Sequence, residues 1–417
     1  MTSNDAAQTA GHRLSGRFLV GVFKIAPETR TRLACLLIVL IAFGMRVYRL
    51  GDVELSGDEG FTFSLASRDY PSMLSEIIRL GEPQPAGSFL LEKAWQDLGG
   101  RSEFNLRMLN VGFGVIAVAL TFALALKLSR SRAAALVAAI LVATNPFGLV
   151  HSREYRTYAM VASLGLAGLA AFLAYARSPS RVRFFALVAC EWAAIQAHYV
   201  AVFLVASLSV AVLIWWLFFR LPGAQSTWPR PPGLKRWLLA QILVLALTLP
   251  WLILVRGTAD TYGGTGSGNM PFVELVSAEL ARFTGAYVLT EFYSELVLLG
   301  LIAAAIGALA LWRSSDHGKP GVISLCVCFG VPLLSVWAVS WIRPIFHPRY
   351  LIVIWPIFAI LVAEPGHKFV FIGGRISAIE VLGDALGQGR ERTLARVQRL
   401  HHRRDVAVAK LVAQRKL

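Results

Sequence analysis

NLRMLNVGFGVIAVALTFALALK (residues 105–127) carries no charge between Arg107 and Lys127. At about 1.5 Å of rise per residue, a helix of this length spans a hydrocarbon core roughly 30 Å thick. Apolar runs of similar length recur along most of the chain. Of its 417 residues, 56% are hydrophobic and only 16% are charged. The mean hydropathy is +0.59, and a soluble domain of this size would need far more polar surface. Backbone groups in a bilayer core must be satisfied within the span, and these continuous runs lack the alternation of barrel strands. The sequence therefore predicts an all-α integral membrane protein. About ten transmembrane helices are expected, near 31–48, 105–127, 133–150, 157–176, 184–199, 200–219, 237–255, 292–312, 321–341 and 350–364.

The formal net charge of +16 first suggests nucleic acid. Placing the charges on this topology removes that suggestion. "SRSR" (129–132), "RSPSRVR" (177–183) and "RLPGAQSTWPRPPGLKR" (220–236) fall on one side, together with both tails. This is the positive-inside distribution of a multi-pass plasma-membrane protein with cytoplasmic termini, and no nucleic-acid partner is expected. Residues 1–30 read as a basic cytoplasmic tail without the apolar core of a signal peptide. The transmembrane domain is expected over 31–366, and 367–417 as a basic cytoplasmic tail. The four cysteines (Cys35, Cys190, Cys326, Cys328) all lie in apolar runs and read as packing residues.

The outer segments are unequal. The first, 49–104, is long. Within it "SRDYPSMLSEIIRL" (67–80) has helical periodicity, with Glu76 and Arg79 on the polar side, and 81–107 contains a second amphipathic stretch. Another outer segment, 256–291, opens on "RGTADTYGGTGSGN", a flexible loop that reads equally as a lid or a linker, and continues amphipathically over 271–290.

Polar residues with chemical potential gather at the outer ends of the spans. Asp58 and Glu59 stand in "LSGDEGFTFS" (55–64), Arg153, Glu154 and Arg156 in "HSREYRTY" (151–158), His198 in "AHY", and Arg349 and Tyr350 in "HPRY". A channel would line its spans with polar residues, and a transporter would concentrate them near the midplane on broken helices. Here the spans are nearly clean apart from Glu191 and Gln196. Glu191 reads as a partner for a neighbouring span. Carboxylates suit base catalysis on a hydroxyl, arginines suit phosphate, and apolar grooves between helices suit a lipid chain. Transfer from a lipid-linked phosphate donor fits this set.

The motifs resemble those of the GT-C membrane glycosyltransferases. That group includes the protein O-mannosyltransferases, the lipid A aminoarabinose transferases and related bacterial polyprenyl-phosphate-sugar transferases. "SGDEGFTFSLASR" (56–68) is similar to the family's first-loop Asp-Glu motif, and "GGRSEFNLRMLNVGFG" (99–114) to its entry into the second span. "HSREYRTYAM" (151–160), "HY" (198–199) and "HPRYL" (347–351) follow in the family's order. The resemblance implies GT-C architecture and inverting glycosyl transfer from a polyprenyl-phosphate sugar. The acceptor would be a hydroxyl of a glycolipid, polysaccharide or protein on the periplasmic or extracellular face. It implies Asp58 as catalytic base with Glu59 in support, and Arg107, Arg153, Arg156 and Arg349 as donor-binding residues. Glu154, Tyr158, His198 and Tyr350 would line the site. The resemblance leaves a divalent cation and any metal ligands open. Where relatives carry His-Pro-Pro, this chain has Gln84 in "PQPAG", and the tail after 367 departs from the family. Two other readings stand beside it: a lipid or saccharide transporter, and a family member that binds polyprenyl lipid without catalysis.

Overall fold

The computed structural model describes residues 26–80, 84–221, 229–256, 270–314 and 319–372. Residues 257–269, the Gly/Thr/Ser start of the 256–291 segment, and the tails at 1–25 and 373–417 lie outside them. The chain divides into two units, 1–365 and 366–417, and the helical bundle belongs to the first.

The described residues form helices α1 (Pro27–Val47), α2 (Gly57–Ala66), α3 (Tyr70–Leu80), α4 (Ala86–Gly99) and α5 (Glu103–Ser129). They continue with α6 (Arg132–Thr144), α7 (Pro146–Ser152), α8 (Tyr158–Arg177), α9 (Arg181–Ala197), α10 (Ala201–Phe219), α11 (Leu234–Val255) and α12 (Phe272–Thr284). α13 (Tyr293–Ser314), α14 (Lys319–Ser340) and α15 (Trp355–Ile372) complete the set, with short 3-10 turns at Thr290–Phe292 and Pro348–Ile354. Six are long and apolar enough to cross a membrane: α5, α8, α10, α11, α13 with its preceding turn, and α14. α6 and α7 make a seventh if taken as one bent span. The expected spans at 31–48, 184–199 and 350–364 are also largely helical, but α1, α9 and α15 do not pass that test, so the described residues give six or seven spans where about ten were expected.

α8 is the most buried span, packed against α5, α9 and α10. α11 and α13 leave most of their leucines and isoleucines exposed, as lipid-facing helices do. The break between α6 and α7 has a clear cause. Pro146 lacks an N–H, and the Asn145 side chain caps the new helix by accepting from Phe147 N (2.9 Å) and Gly148 N (3.3 Å), giving a 57° bend. The carbonyls freed by the bend are satisfied by Arg46, buried at 1% exposure, whose guanidinium donates to Ala143 O (3.0 Å) and Val142 O (3.2 Å). Gly114 lets α5 approach here, since a Cβ would lie 2.6 Å from Ser152 Cβ.

The first loop packs as three short helices. Leu65, Met73, Ile77 and Phe89 form a small core of their own, with Trp251 of α11 against it. α3 occupies the stretch whose periodicity predicted it, with Met73 and Ile77 buried and Glu76 pairing outward with Arg79. Glu191 bonds across to Gln241 of α11 at 3.0 Å, an inter-span partner of the kind expected.

Candidate active site

Ser56 begins α2 with a capping box: its hydroxyl accepts from Glu59 N, and Glu59 Oε2 accepts from Ser56 N at 2.9 Å. The box fixes Glu59 pointing inward, at 3% exposure. There Oε1 accepts from Arg107 Nε (2.8 Å) and Tyr155 N (2.8 Å), and Oε2 also accepts from Arg107 Nη2 (2.9 Å). Burial alone would raise the Glu59 pKa. The hydrogen bond from Arg107 and those from the Ser56 and Tyr155 amides outweigh it and hold the carboxyl below its ordinary range. Arg107 spends its remaining N–H groups on Leu50 O (2.9 Å), Val53 O (2.8 Å) and Glu54 O (3.0 Å). Every donor of this guanidinium is taken within the protein. The pair therefore locks three chain segments together: the 50–59 turn, α5 and the 153–157 turn.

Asp58, one residue earlier, turns outward. Its side chain is half exposed, and Oδ2 accepts from Arg349 Nη1 at 2.7 Å. Burial would raise its pKa, but the hydrogen bond and charge of Arg349, with the charge of Arg156, outweigh burial and keep it ionised at neutral pH. Arg156 donates to Thr62 Oγ1 (2.9 Å) and to the Asp58 carbonyl (3.3 Å), bracing α2 from beneath. The Nε groups of Arg156 and Arg349 are both buried without a hydrogen-bond partner. The Arg349 guanidinium lies over the Tyr158 ring at 5.2 Å.

Rings fill the floor. Tyr158 meets His151 (5.3 Å between centroids) and His198 (6.1 Å), and His198 meets Tyr350 (4.8 Å). His198 is buried, and Val200 N donates to its Nδ1 at 3.2 Å. Burial, with the charges of Arg156 and Arg349, pulls its pKa down to about 3, so it is neutral. His347 is likewise pulled down to about 4, chiefly by burial and Arg349. Glu154 pairs with His151 Nδ1 at 3.1 Å. Arg153 instead reaches the end of α1, donating to Tyr48 O at 2.7 Å.

The structure thus gathers Asp58, Arg156, Tyr158, His198, Arg349 and Tyr350 with the His151–Glu154 pair, and sets Glu59, Arg107 and Arg153 in the supporting frame. It adds Arg282, Tyr287 and Glu92, which the sequence motifs did not mark. A cavity of about 220 Å³ beside Arg349 is lined by His151, His347, Arg282 and Tyr287. Arg282 arrives on α12, whose end is pinned by Asn145 Nδ2 donating to the Arg282 and Phe283 carbonyls (3.2 and 3.0 Å). The amphipathic pattern at 271–290 located the helix but could not say which end of which span it would meet. Glu92, on α4, is fully buried with neither carboxylate oxygen hydrogen-bonded, and burial pushes its pKa up to about 8. Among the described residues no three His, Cys, Asp or Glu side chains lie together as a metal site.

A second cavity, about 560 Å³ and almost wholly apolar, lies between α3 and α4 of the first loop and α8, α9 and α11. Its walls include Leu74, Ile78, Leu91, Met160, Trp192 and Leu254.

Residues 69–257 match the dolichyl-phosphate-mannose-protein mannosyltransferase family. Among curated proteins none matches significantly by sequence. Among solved structures, the fold is similar to ArnT from Cupriavidus metallidurans bound to undecaprenyl phosphate. The TM-score is 0.54 at 15% identity, over 81% of this chain and 62% of that one. It is also similar to the oligosaccharyltransferase of Archaeoglobus fulgidus in complex with Zn and sulfate. There the TM-score is 0.52 at 13% identity, over 84% of this chain and 51% of that one. The chain spans less than two thirds of the length of either.

Proposed function

We propose, for a chain that carries the fold of the GT-C membrane glycosyltransferases, that it moves a sugar from a polyprenyl-phosphate donor to an acceptor hydroxyl. The observation that carries this reading is Asp58: an ionised, half-exposed carboxylate held by Arg349 at the edge of a cationic cavity. In the step, Asp58 accepts the proton of the acceptor hydroxyl as the oxygen attacks the anomeric carbon. The bond from that carbon to the phosphate oxygen breaks, the sugar inverts, and polyprenyl phosphate departs with the electron pair. Arg349 and Arg282, with the partnerless Nε groups of Arg156 and Arg349, favour the developing phosphate charge. The apolar cavity beside α3 and α4 suits the first isoprene units, and the ArnT structure with undecaprenyl phosphate supports that ligand class. Glu59, Arg107 and Arg153 act as frame, while Glu154, Tyr158, His198 and Tyr350 line the sugar side.

The reading places this end of the bundle at the periplasmic or extracellular face, because the opposite ends carry the basic loops.

Release of polyprenyl phosphate from a panel of polyprenyl-phosphate sugars, with glycan, glycolipid and peptide acceptors offered, tests this. Wild-type chain in lipid should release it, and Asp58→Asn should not. Release that survives in Asp58→Asn overturns the assignment of the base. Donor binding without release in the wild type favours the lipid-binding reading, and sugar flux across vesicles favours the transporter.

A further inference from the structure

The other end of the bundle holds another cavity. α5 starts beside Glu59 and ends at Ser129, and α8 starts at Tyr158 and ends at Arg177, so their C-terminal ends lie a span's length away from Asp58. Between these ends, α10, the Pro229–Gly233 segment and the start of α14 is a cavity of about 570 Å³. Lys127, Arg130, Arg177 and Arg230 line it, and among the described residues no carboxylate does. Its remaining walls are apolar, including Leu128, Leu173, Trp215 and Pro320.

The walls are fixed in place. Trp215 Nε1 donates to Pro229 O at 3.0 Å and Trp216 Nε1 to Pro232 O at 3.1 Å, so two indoles hold the proline segment against α10. Gly321 brings α14 onto α5 so closely that a Cβ would lie 2.6 Å from Leu128 Cδ2. None of the four cations forms an ion pair among the described residues. In contrast, Arg132, at the same end, pairs with Glu28, and Arg49 and Arg79 pair with acids of their own segments. Lys127 is moreover exposed to the positive field of Arg177 and Arg183. Like charges directed into one apolar-walled cavity repel each other unless an anion joins them.

We propose that this cavity binds a phosphate-bearing anion, with an anionic phospholipid headgroup as the source that its apolar walls and span-end position favour. The phosphate would sit among Lys127, Arg177 and Arg230, with the acyl chains leaving along Leu173 and Trp215. The site is separate from the proposed transfer centre and does not depend on that function.

The test uses the full chain in neutral detergent and titrates short-chain phosphatidylglycerol, phosphatidylcholine or inorganic phosphate, reading bound ligand by native mass spectrometry. Phosphatidylglycerol should occupy one saturable site, and phosphatidylcholine should bind at least about tenfold more weakly. Lys127→Gln with Arg177→Gln should weaken phosphatidylglycerol about tenfold or more. Arg230→Gln, a change on an exposed segment, should weaken it less and keeps the test alive if the double variant does not fold. Arg32→Gln removes one charge from the same end of the bundle, on α1 outside the cavity, and should leave affinity within about twofold. Inorganic phosphate binding as tightly as the lipid would keep the anion site and reassign its source to soluble phosphate. Non-saturable binding, or equal losses in Arg32→Gln and Arg230→Gln, would overturn the proposal in favour of a diffuse positive surface.

Discussion

Asp58 and Glu59 are neighbours in the chain, carry the same functional group and sit on the same first turn of α2, yet their surroundings are opposite. Glu59 is 3% exposed and accepts four hydrogen bonds, two of them from one arginine. Asp58 is half exposed and held by Arg349 at one oxygen. Successive residues of a helix point about 100° apart, so one turn can build one carboxylate into the frame and present the next to a ligand. Charge alone does not mark a catalytic residue. The number of bonds still open to a substrate does.

The largest expected effect separates the two by readout. Asp58→Asn should lower turnover by about three orders of magnitude, the scale of losing a positioned base, while the protein still purifies and its unfolding temperature falls only slightly, because its ion pair with Arg349 is half exposed. Glu59→Gln should do the reverse in kind. It removes the charge opposite a buried guanidinium, which costs about 3–5 kcal/mol of stability, so yield and unfolding temperature fall before any kinetic constant can be measured. Finding that Glu59→Gln folds normally and is merely slow would move Glu59 from the frame into the chemistry.

Next come the cations of the cavity. Arg349→Gln and Arg282→Gln should each weaken donor use by about ten- to a hundredfold in kcat/KM, as expected when a charge-assisted hydrogen bond to phosphate is lost. The two are distinguishable by pH. Arg349 holds the Asp58 pKa down, so the acid limb of the rate profile should move to higher pH in Arg349→Gln and stay put in Arg282→Gln.

A smaller effect tests the neutral imidazoles. His198 and His347 have folded pKa values near 3 and 4, below the unfolded value of about 6.5. Between these limits the unfolded chain binds more protons, so stability should fall as pH drops below about 6.5, by at most about 1.4 kcal/mol per pH unit for each histidine. Asp58 and Glu59 are depressed in the same sense and add their own loss only below about 4.5, where the unfolded carboxylates begin to protonate. Unfolding midpoints of wild type and His198→Phe between pH 6.5 and 4.5 should diverge accordingly.

Much of this arrangement was legible in the sequence, and the parts that were not share a cause. Apolar run length located the helices because a bilayer imposes a length on each one, and the periodicity of 67–80 located α3 because one face must be buried. The turn at 198–200 between two short helices also fell where the sequence placed it. What no local pattern carries is which distant segments meet. Arg349 reaching Asp58 across 291 residues, and Arg282 delivered by a helix that Asn145 pins, are products of packing. Arg46 illustrates the same limit. In sequence it is a charge at the end of a span, and only the bend at Pro146 reveals that it satisfies carbonyls on another helix. The same blindness placed Arg107 and Arg349 in one class, although the first has every donor engaged and the second does not.

The smallest effect sharpens the comparison by holding chemistry constant. Glu76 and Arg79 form a two-pronged ion pair on α3 with both contacts at 2.7 Å, as short as those between Glu59 and Arg107. Distance alone would rate the two pairs equal. The Arg79 side chain, however, is 67% exposed, so water solvates its charge whether or not it meets Glu76, Glu76 keeps Arg68 as a second partner, and the Glu76–Arg79 pair lies within one helix and joins no two segments. Arg79→Ala should therefore leave the thermal midpoint unchanged within measurement error, while Arg107→Ala should lower it sharply, because that residue strands a buried carboxylate and releases the 50–54 carbonyls together. If Arg79→Ala proved as damaging as Arg107→Ala, the first loop would be held by its surface charges, and the division between a frame around Glu59 and an open site around Asp58 would fail.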